Sequence, residues 1–300
     1  MILSVSGRCD IPAFYPEWFI NRLKVGYVDI ENPFNKELIS RVILNEDTID
    51  LIVFCTKNPI PLFKYLDEIK YPYLMQVTIT PYKKDIEPNV PSKKLIIDYV
   101  KEVSKKIGKE RVYVRYDPIF LSKKYNLEYH LKMFDRLCSE LSSYTRRIII
   151  SFLDLKKNTI KHRNEINQIP FTKENIELIA KTFFSIASKY NLEVSTCAEN
   201  IDLSRFGVTN RPCIDREEVE EILGRKLELK EGKLRDNCHC LETIDIGSYN
   251  CCPHFCKYCY ANYQEEEVLK RKQTHNKNST ILIGTVSDLD KIKIRNSTIS

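Results

Sequence analysis

The sequence contains no apolar run long enough to cross a membrane and no block of charge of one sign. Its longest apolar stretches are strand-sized, such as residues 148–153, so we expect no transmembrane helix and no membrane partner. The first residues lack the apolar stretch of a secretory signal, which predicts a cytoplasmic protein. The net charge of +6 is spread along the chain, so it does not indicate a nucleic-acid partner. Hydrophobic content of 43% in 300 residues excludes disordered and fibrous classes and predicts one large domain or two ordinary ones.

Cysteine, by contrast, is abundant: the chain has 11. The number is odd, and a reducing compartment disfavours a disulfide framework in a protein of this length. We therefore expect metal binding.

Short β-branched runs alternate with segments of helical period over the first two thirds of the chain. The strand candidates are residues 2–6, 51–56, 74–80, 111–116, 147–153 and 192–196, and the clearest helical segments are 93–106, 128–141 and 173–189. This alternation predicts an α/β fold with a parallel sheet, either open or curled into a partial (β/α)6 TIM-like barrel. We place this domain at residues 1–205. A cysteine-rich region at 206–300, with a short helix at 215–223 and a possible late strand at 280–286, follows it.

Three cysteines near the end of the chain, Cys252, Cys256 and Cys259, form the spacing CxxxCxxC. Three thiolates are one short of the four that complete a tetrahedral zinc site or a [4Fe-4S] cluster. Such a cluster has one open iron, which the amine and carboxylate of an amino acid can chelate. The zinc alternative stays open, with His254 or Cys251 as the fourth ligand.

A second set of cysteines follows the start of the sixth strand candidate: Cys197, Cys213, Cys238 and Cys240. Four thiolates can hold an auxiliary iron–sulfur cluster or a structural zinc, and we favour the cluster. Cys55 and Cys138 lie in apolar patterns typical of core residues. We do not expect His239 and His254 to be ligands.

The cysteine spacing, with Tyr258 before the last cysteine, resembles the signature of radical S-adenosylmethionine enzymes, although in that family it usually follows the first strand. The local run CPHFCKYCYA is similar to the cluster loop of spore photoproduct lyases. Over residues 2–263 the chain resembles the DUF1848 family, a domain of unknown function, through SGRCDIPAFYPEWFINRLKVGY, NPFN, FCTKNP, TPYKKDIEPN, RYDPI, ISFLD and CHCLETIDIGSYNCCPHFCKYCYANY. Cys9 departs from this pattern, in which threonine is expected, so we do not expect it to be a ligand.

The radical-enzyme resemblance implies that a reduced [4Fe-4S] cluster cleaves S-adenosylmethionine to a 5'-deoxyadenosyl radical, which then attacks a substrate that the sequence does not identify. It also implies an electron donor such as ferredoxin or flavodoxin. With only 8 glycines, the chain has no recognisable glycine-rich cofactor strand. Binding of the cofactor then falls to polar residues at predicted strand ends, because active sites of parallel α/β folds lie there. These candidates are Lys57, Asn58, Arg115, Asp117, Ser151 and Glu199.

Other functions remain open at this point. Arg115 and Asp117 can equally form a structural ion pair. The chain can also be a non-catalytic iron–sulfur or zinc protein, acting as an electron carrier or a nucleic-acid accessory module. A third alternative is an enzyme that uses ordinary acid–base groups such as Asp117 and Glu199, with a purely structural metal.

Overall fold

The computed structural model describes residues 1–154, 159–232, 237–287 and 290–295. The strands in these ranges are β1 Ile2–Ser4, β2 Tyr27–Asn32, β3 Asn35–Ile43, β4 Leu51–Thr56, β5 Tyr73–Thr78, β6 Val112–Ile119, β7 Arg147–Phe152, β8 Glu193–Thr196, β9 Thr209–Asn210, β10 Thr243–Asp245 and β11 Lys291–Arg295. The helices are α1 Ile11–Phe14, α2 Pro16–Val25, α3 Ile60–Phe63, α4 Lys93–Ile107, α5 Leu127–Leu141, α6 Arg163–Ile166, α7 Lys173–Ser188, α8 Arg216–Leu223 and α9 Glu265–Gln273.

Eight strands form one sheet in the order β10-β1-β4-β5-β6-β7-β8-β9. The pairs of β1 with β10 and with β4 are parallel, as are the successive pairs from β5 to β9. The predicted parallel α/β sheet is therefore confirmed, and all six strand candidates occur in it. The sheet has two further strands, the short β9 and β10. Closure into a barrel and the iron–sulfur nature of the C-terminal region stay predictions, as does the boundary at residue 205.

The chain divides into two compact units that alternate along the sequence. Unit 1 consists of Met1–Leu74, Thr243–Phe255 and the described part of 259–300, and unit 2 consists of the described part of 75–242 together with Cys256–Tyr258. In unit 1, β2 and β3 form an antiparallel hairpin that β11 extends in parallel. The sequence analysis missed this three-stranded sheet. The predicted late strand at 280–286 is wrong: its one β contact among the described residues is the bridge of Ile281 to Asp29, and the chain turns at Gly284, where φ is +85°.

Unit 2 contains β6 to β9 and the long helices α4, α5 and α7. A side-chain oxygen caps the first turn of each of these helices: Ser92 accepts from the Leu95 backbone N–H, Asn126 from Tyr129 and Thr172 from Asn175. Their apolar faces are buried, and Phe134 of α5 stacks on Phe183 of α7 with ring centroids 3.8 Å apart. The predicted helices at 93–106, 128–141, 173–189 and 215–223 agree with α4, α5, α7 and α8 to within about two residues, the usual precision of helix ends.

No helix in the described ranges combines the length and the apolar character that a membrane-spanning segment requires.

Candidate metal centres

Three cysteines of unit 2 bring their sulfur atoms together in what we call the thiolate triad: Cys197, Cys213 and Cys240. The Sγ of Cys240 lies 3.6 Å from that of Cys197 and 3.3 Å from that of Cys213. All three sulfurs lie within 4.8 Å of one another, and Cys197 and Cys240 are buried. Within the ranges that the structure describes, no other trio of Cys, His, Asp or Glu ligand atoms is this compact. The arrangement can bind a metal.

The triad is assembled from three separate parts of unit 2. Cys197 directly follows β8, Cys213 lies between β9 and α8, and Cys240 lies shortly before the end of the unit. Backbone hydrogen bonds fix the last of these segments. The Cys240 carbonyl accepts from the Gly232 N–H at 2.8 Å, and the Leu241 N–H donates to the Ile214 carbonyl at 3.1 Å. The sulfur atoms therefore converge because the surrounding backbone holds them, not because they are close in sequence.

Polar side chains of β5 and β6 support the triad. Gln76 is fully buried, and its Nε2 donates to the Cys213 carbonyl at 2.5 Å while its Oε1 accepts from Arg115 at 2.9 Å. Hydrogen bonds from Cys197 and Cys240 hold the pKa of the Cys213 thiol well below its usual value; burial opposes this effect and the Arg115 guanidinium reinforces it. Cys213 is therefore the sulfur best suited to be a thiolate, the form that ligates metals.

Arg115 and Asp117, predicted to bind cofactor, pair with each other. The Arg115 Nη2 lies 2.5 Å from the Asp117 carboxylate, which agrees with the alternative of a structural ion pair. Of the other candidates, Glu199 accepts from the Phe152 N–H at 3.1 Å, and Ser151 is buried at the end of β7. In unit 1, the Asn58 side chain accepts from the Ile60 N–H, so it stabilises the turn that precedes α3. A cofactor role for these residues stays a prediction.

The CxxxCxxC segment belongs partly to each unit. In unit 1, the Cys252 carbonyl accepts from the Asn262 side chain at 2.7 Å, and the Asn250 N–H donates to the Ala261 carbonyl at 2.9 Å. These two bonds hold the flanks of the segment side by side. Burial raises the pKa of the Cys259 thiol, and the Lys57 ammonium acts in the opposite direction. None of the eleven cysteines, all of which lie in the described ranges, forms a disulfide.

In unit 2, the short piece Cys256–Tyr258 is anchored to the loop after β5. The Lys257 N–H donates to the Ile86 carbonyl at 3.0 Å, and the Tyr258 hydroxyl donates to Glu87. Glu87 is almost fully buried, and it also accepts from Thr80 at 2.7 Å. This buried carboxylate fixes the residue that directly precedes Cys259. Cys256 itself is buried.

A carboxylate–histidine pair of unit 1 includes His254, which lies between Cys252 and Cys256 in the sequence. The buried Asp10 accepts through Oδ2 from the His254 Nε2 at 3.0 Å and from the Lys57 N–H at 2.8 Å. Its Oδ1 accepts from the Thr56 hydroxyl at 2.6 Å and from the Ala13 N–H at 3.1 Å. The His254 Nδ1 is buried and has no hydrogen-bond partner among the described residues. Such pairs orient metal-binding or hydrogen-bonding imidazoles.

Three further cysteines, Cys238, Cys138 and Cys55, lie outside the thiolate triad and the CxxxCxxC segment. Cys238 is buried but lies outside the compact triad, so its ligand role stays a prediction. Cys138 is a core residue of α5, as predicted, and Cys55 is partly exposed at the end of β4. Sequence reasoning missed Gln76 and the pairing of Asp10 with His254. A glutamine inside the apolar strand Tyr73–Thr78 is a signal that a buried polar partner must be present.

The model of the family Domain of unknown function (DUF1848) matches residues 2–261. This chain belongs to that family. The DUF1848 match includes the thiolate triad and the whole CxxxCxxC segment, so both cysteine sets lie within the family's domain. No curated protein matches the chain.

Proposed function

We propose that this DUF1848 protein is a radical S-adenosylmethionine enzyme whose [4Fe-4S] cluster is held by Cys252, Cys256 and Cys259, with a second metal centre at the thiolate triad. One observation carries the proposal. The CxxxCxxC segment supplies three sulfur donors within eight residues, hydrogen bonds inside each unit hold the Cys252 backbone and the Tyr258 side chain, and its cysteines form no disulfide. When bound, a cluster with three protein ligands supplies an open iron for the cofactor and the electron that cleaves it.

The residues around the segment fit such a group. The buried Nδ1 of His254 accepts no hydrogen bond among the described residues, while Asp10 accepts from its Nε2. In the tautomer that donates its Nε2–H to Asp10, the Nδ1 of His254 can accept from a donor such as the ammonium group of a bound amino acid. The Lys57 ammonium contributes positive charge that favours the thiolate form of Cys259. Positive charge stabilises a thiolate-bound cluster and attracts a carboxylate.

The test is reductive cleavage of the cofactor. Full-length protein is reconstituted anaerobically with iron and sulfide, reduced with dithionite and incubated with S-adenosylmethionine. We expect 5'-deoxyadenosine and methionine in equal amounts. Cys256→Ala abolishes both products, whereas Cys55→Ser, which changes a cysteine outside both sets, retains them. Cluster-loaded protein that binds no S-adenosylmethionine refutes the enzyme proposal.

The alternative of a non-catalytic metal protein rests on the compactness of the thiolate triad. It predicts protein that retains metal at the triad and gives no cleavage products under any reducing condition.

A further inference from the structure

The spacing of the thiolate triad indicates which kind of centre it holds. Thiolates that ligate one tetrahedral zinc at about 2.3 Å must lie about 3.8 Å from one another. The two Sγ–Sγ distances to Cys240, 3.3 and 3.6 Å, fall within half an ångström of that value. In a [4Fe-4S] cluster each cysteine ligates a different iron, so the body of the cluster keeps the sulfurs out of contact. The triad fits one ion.

The surroundings of the triad agree with a small occupant. Cys197 and Cys240 are buried, and the Cys213 carbonyl is tied to the buried Gln76. The Gly232 N–H bonds the Cys240 carbonyl, and Leu241 bonds Ile214. Four irons and four sulfides would separate the three sulfurs and therefore displace the segments that these hydrogen bonds hold in place. One ion at the centre of the three sulfurs requires a shift of only a few tenths of an ångström in each.

The charges around the triad are compatible with a divalent ion. Three thiolates carry three negative charges, and a divalent ion reduces these to one. The Arg115 guanidinium interacts with Cys213 and shares its positive charge with Asp117, from which it is 2.5 Å away. A tetrahedral site of soft thiolate donors is typical of zinc.

We propose that Cys197, Cys213 and Cys240 bind a single zinc ion in place of an auxiliary iron–sulfur cluster, with the buried Cys238 or a water molecule as the fourth tetrahedral ligand. This goes beyond the radical chemistry proposed above and does not depend on it, because the triad lies wholly in unit 2 and shares no cysteine with the CxxxCxxC segment. The zinc holds together three parts of the chain that are distant in sequence.

Metal analysis of anaerobically purified full-length protein separates the two sets of cysteines. The triple variant Cys252→Ala/Cys256→Ala/Cys259→Ala is expected to retain about one zinc per chain and to lose iron and sulfide. Cys213→Ser is expected to lose the zinc and keep the iron, and Cys55→Ser is expected to change neither. Two results would overturn the proposal. In the first, the triple variant retains iron and sulfide and loses them when Cys213→Ser is added. In the second, the triple variant contains no metal.

Cobalt substitution gives a second readout that does not depend on the folding of Cys213→Ser. Co²⁺ is added to the zinc-depleted triple variant. We expect the intense visible bands of a tetrahedral site and near-ultraviolet charge transfer of at least three thiolate ligands. Weak octahedral bands, or charge transfer of fewer than three thiolates, overturn the proposal. If the triple variant gives these signals and the reconstituted protein with all its cysteines does not cleave S-adenosylmethionine, the result counts against the proposed function and not against the zinc.

Discussion

Asp10 is the residue whose replacement best tests the packing around the cysteine segment. Asp10→Asn keeps an oxygen for Thr56 and Ala13, but its amide nitrogen then faces the N–H groups of Lys57 and His254. Two hydrogen bonds to a charged acceptor are lost, each worth about 1.5–3 kcal/mol, so the free energy of unfolding falls by about 3–6 kcal/mol. If His254 takes its other tautomer and accepts from the new amide, only the Lys57 bond is lost and the decrease is about half as large.

The measurement is urea unfolding at neutral pH, followed by circular dichroism, with Asp47→Asn as the matched control. Asp47 is exposed, so we expect its replacement to change stability by less than about 0.5 kcal/mol. Iron content after reconstitution is measured on the same samples, and we expect Asp10→Asn to retain less iron because the chain between Cys252 and Cys256 loses the hydrogen bond that anchors His254 to Asp10. An Asp10→Asn protein that is as stable as the control and loads iron fully contradicts this reasoning.

Three further predictions concern unit 2. Burial lowers the pKa of His130 to about 4, so its neutral form contributes stability above pH 6.5 that is lost as the pH falls toward 4. We expect urea unfolding to show this decrease of about 3 kcal/mol between pH 6.5 and 4. The His130→Gln variant should lack this contribution, and the control His162→Gln should keep it. Glu218→Gln leaves the fully buried Arg147 without its charged partner at 2.9 Å, so we expect the free energy of unfolding to fall by about 3–5 kcal/mol. The control Glu217→Gln changes an exposed residue and should leave this free energy almost unchanged. Equal stabilities of the two variants in thermal or urea unfolding would contradict this prediction. Tyr258→Phe removes one hydrogen bond to the buried Glu87, so we expect the free energy of unfolding to fall by about 1–3 kcal/mol and the iron content to decrease. Tyr263→Phe, at an exposed position, is the control. Unchanged iron content in Tyr258→Phe would show that this hydrogen bond does not position the cysteines.

The parallel strands and the long helices α4, α5 and α7 could be predicted from the sequence because their signals are local. The helix α4 repeats apolar residues at helical spacing after the N-cap Ser92, and β4 is a continuous apolar run. The hairpin of β2 and β3 was missed because its strands mix charged and apolar residues without strict alternation, and it depends on pairing with β11 from the other end of the chain. Long-range pairing of this kind leaves no local signal.

The two candidate sites also differ in whether their sequence signal is local. The CxxxCxxC spacing is visible in eight successive residues, whereas the thiolate triad becomes visible only when Cys197, Cys213 and Cys240 are placed in space. Cysteine counting grouped Cys238 with these three, but the structure brings only three sulfurs into contact. The partners of the triad, Gln76 and Arg115, lie on strands far earlier in the sequence.

The two cysteine sets also differ in how metal binding couples to folding. The sulfurs of the thiolate triad converge only when β8, the Cys213 loop and the Cys240 segment are in place, so an unfolded chain offers no such site. An ion that binds only the folded state stabilises it by about 2.7 kcal/mol at a concentration one hundred times its Kd. The CxxxCxxC cysteines remain near one another in any conformation, and metal bound there stabilises the fold less because the unfolded chain binds it too. Of the two sets, the triad is therefore the one suited to a structural role, and the loop is the one suited to chemistry.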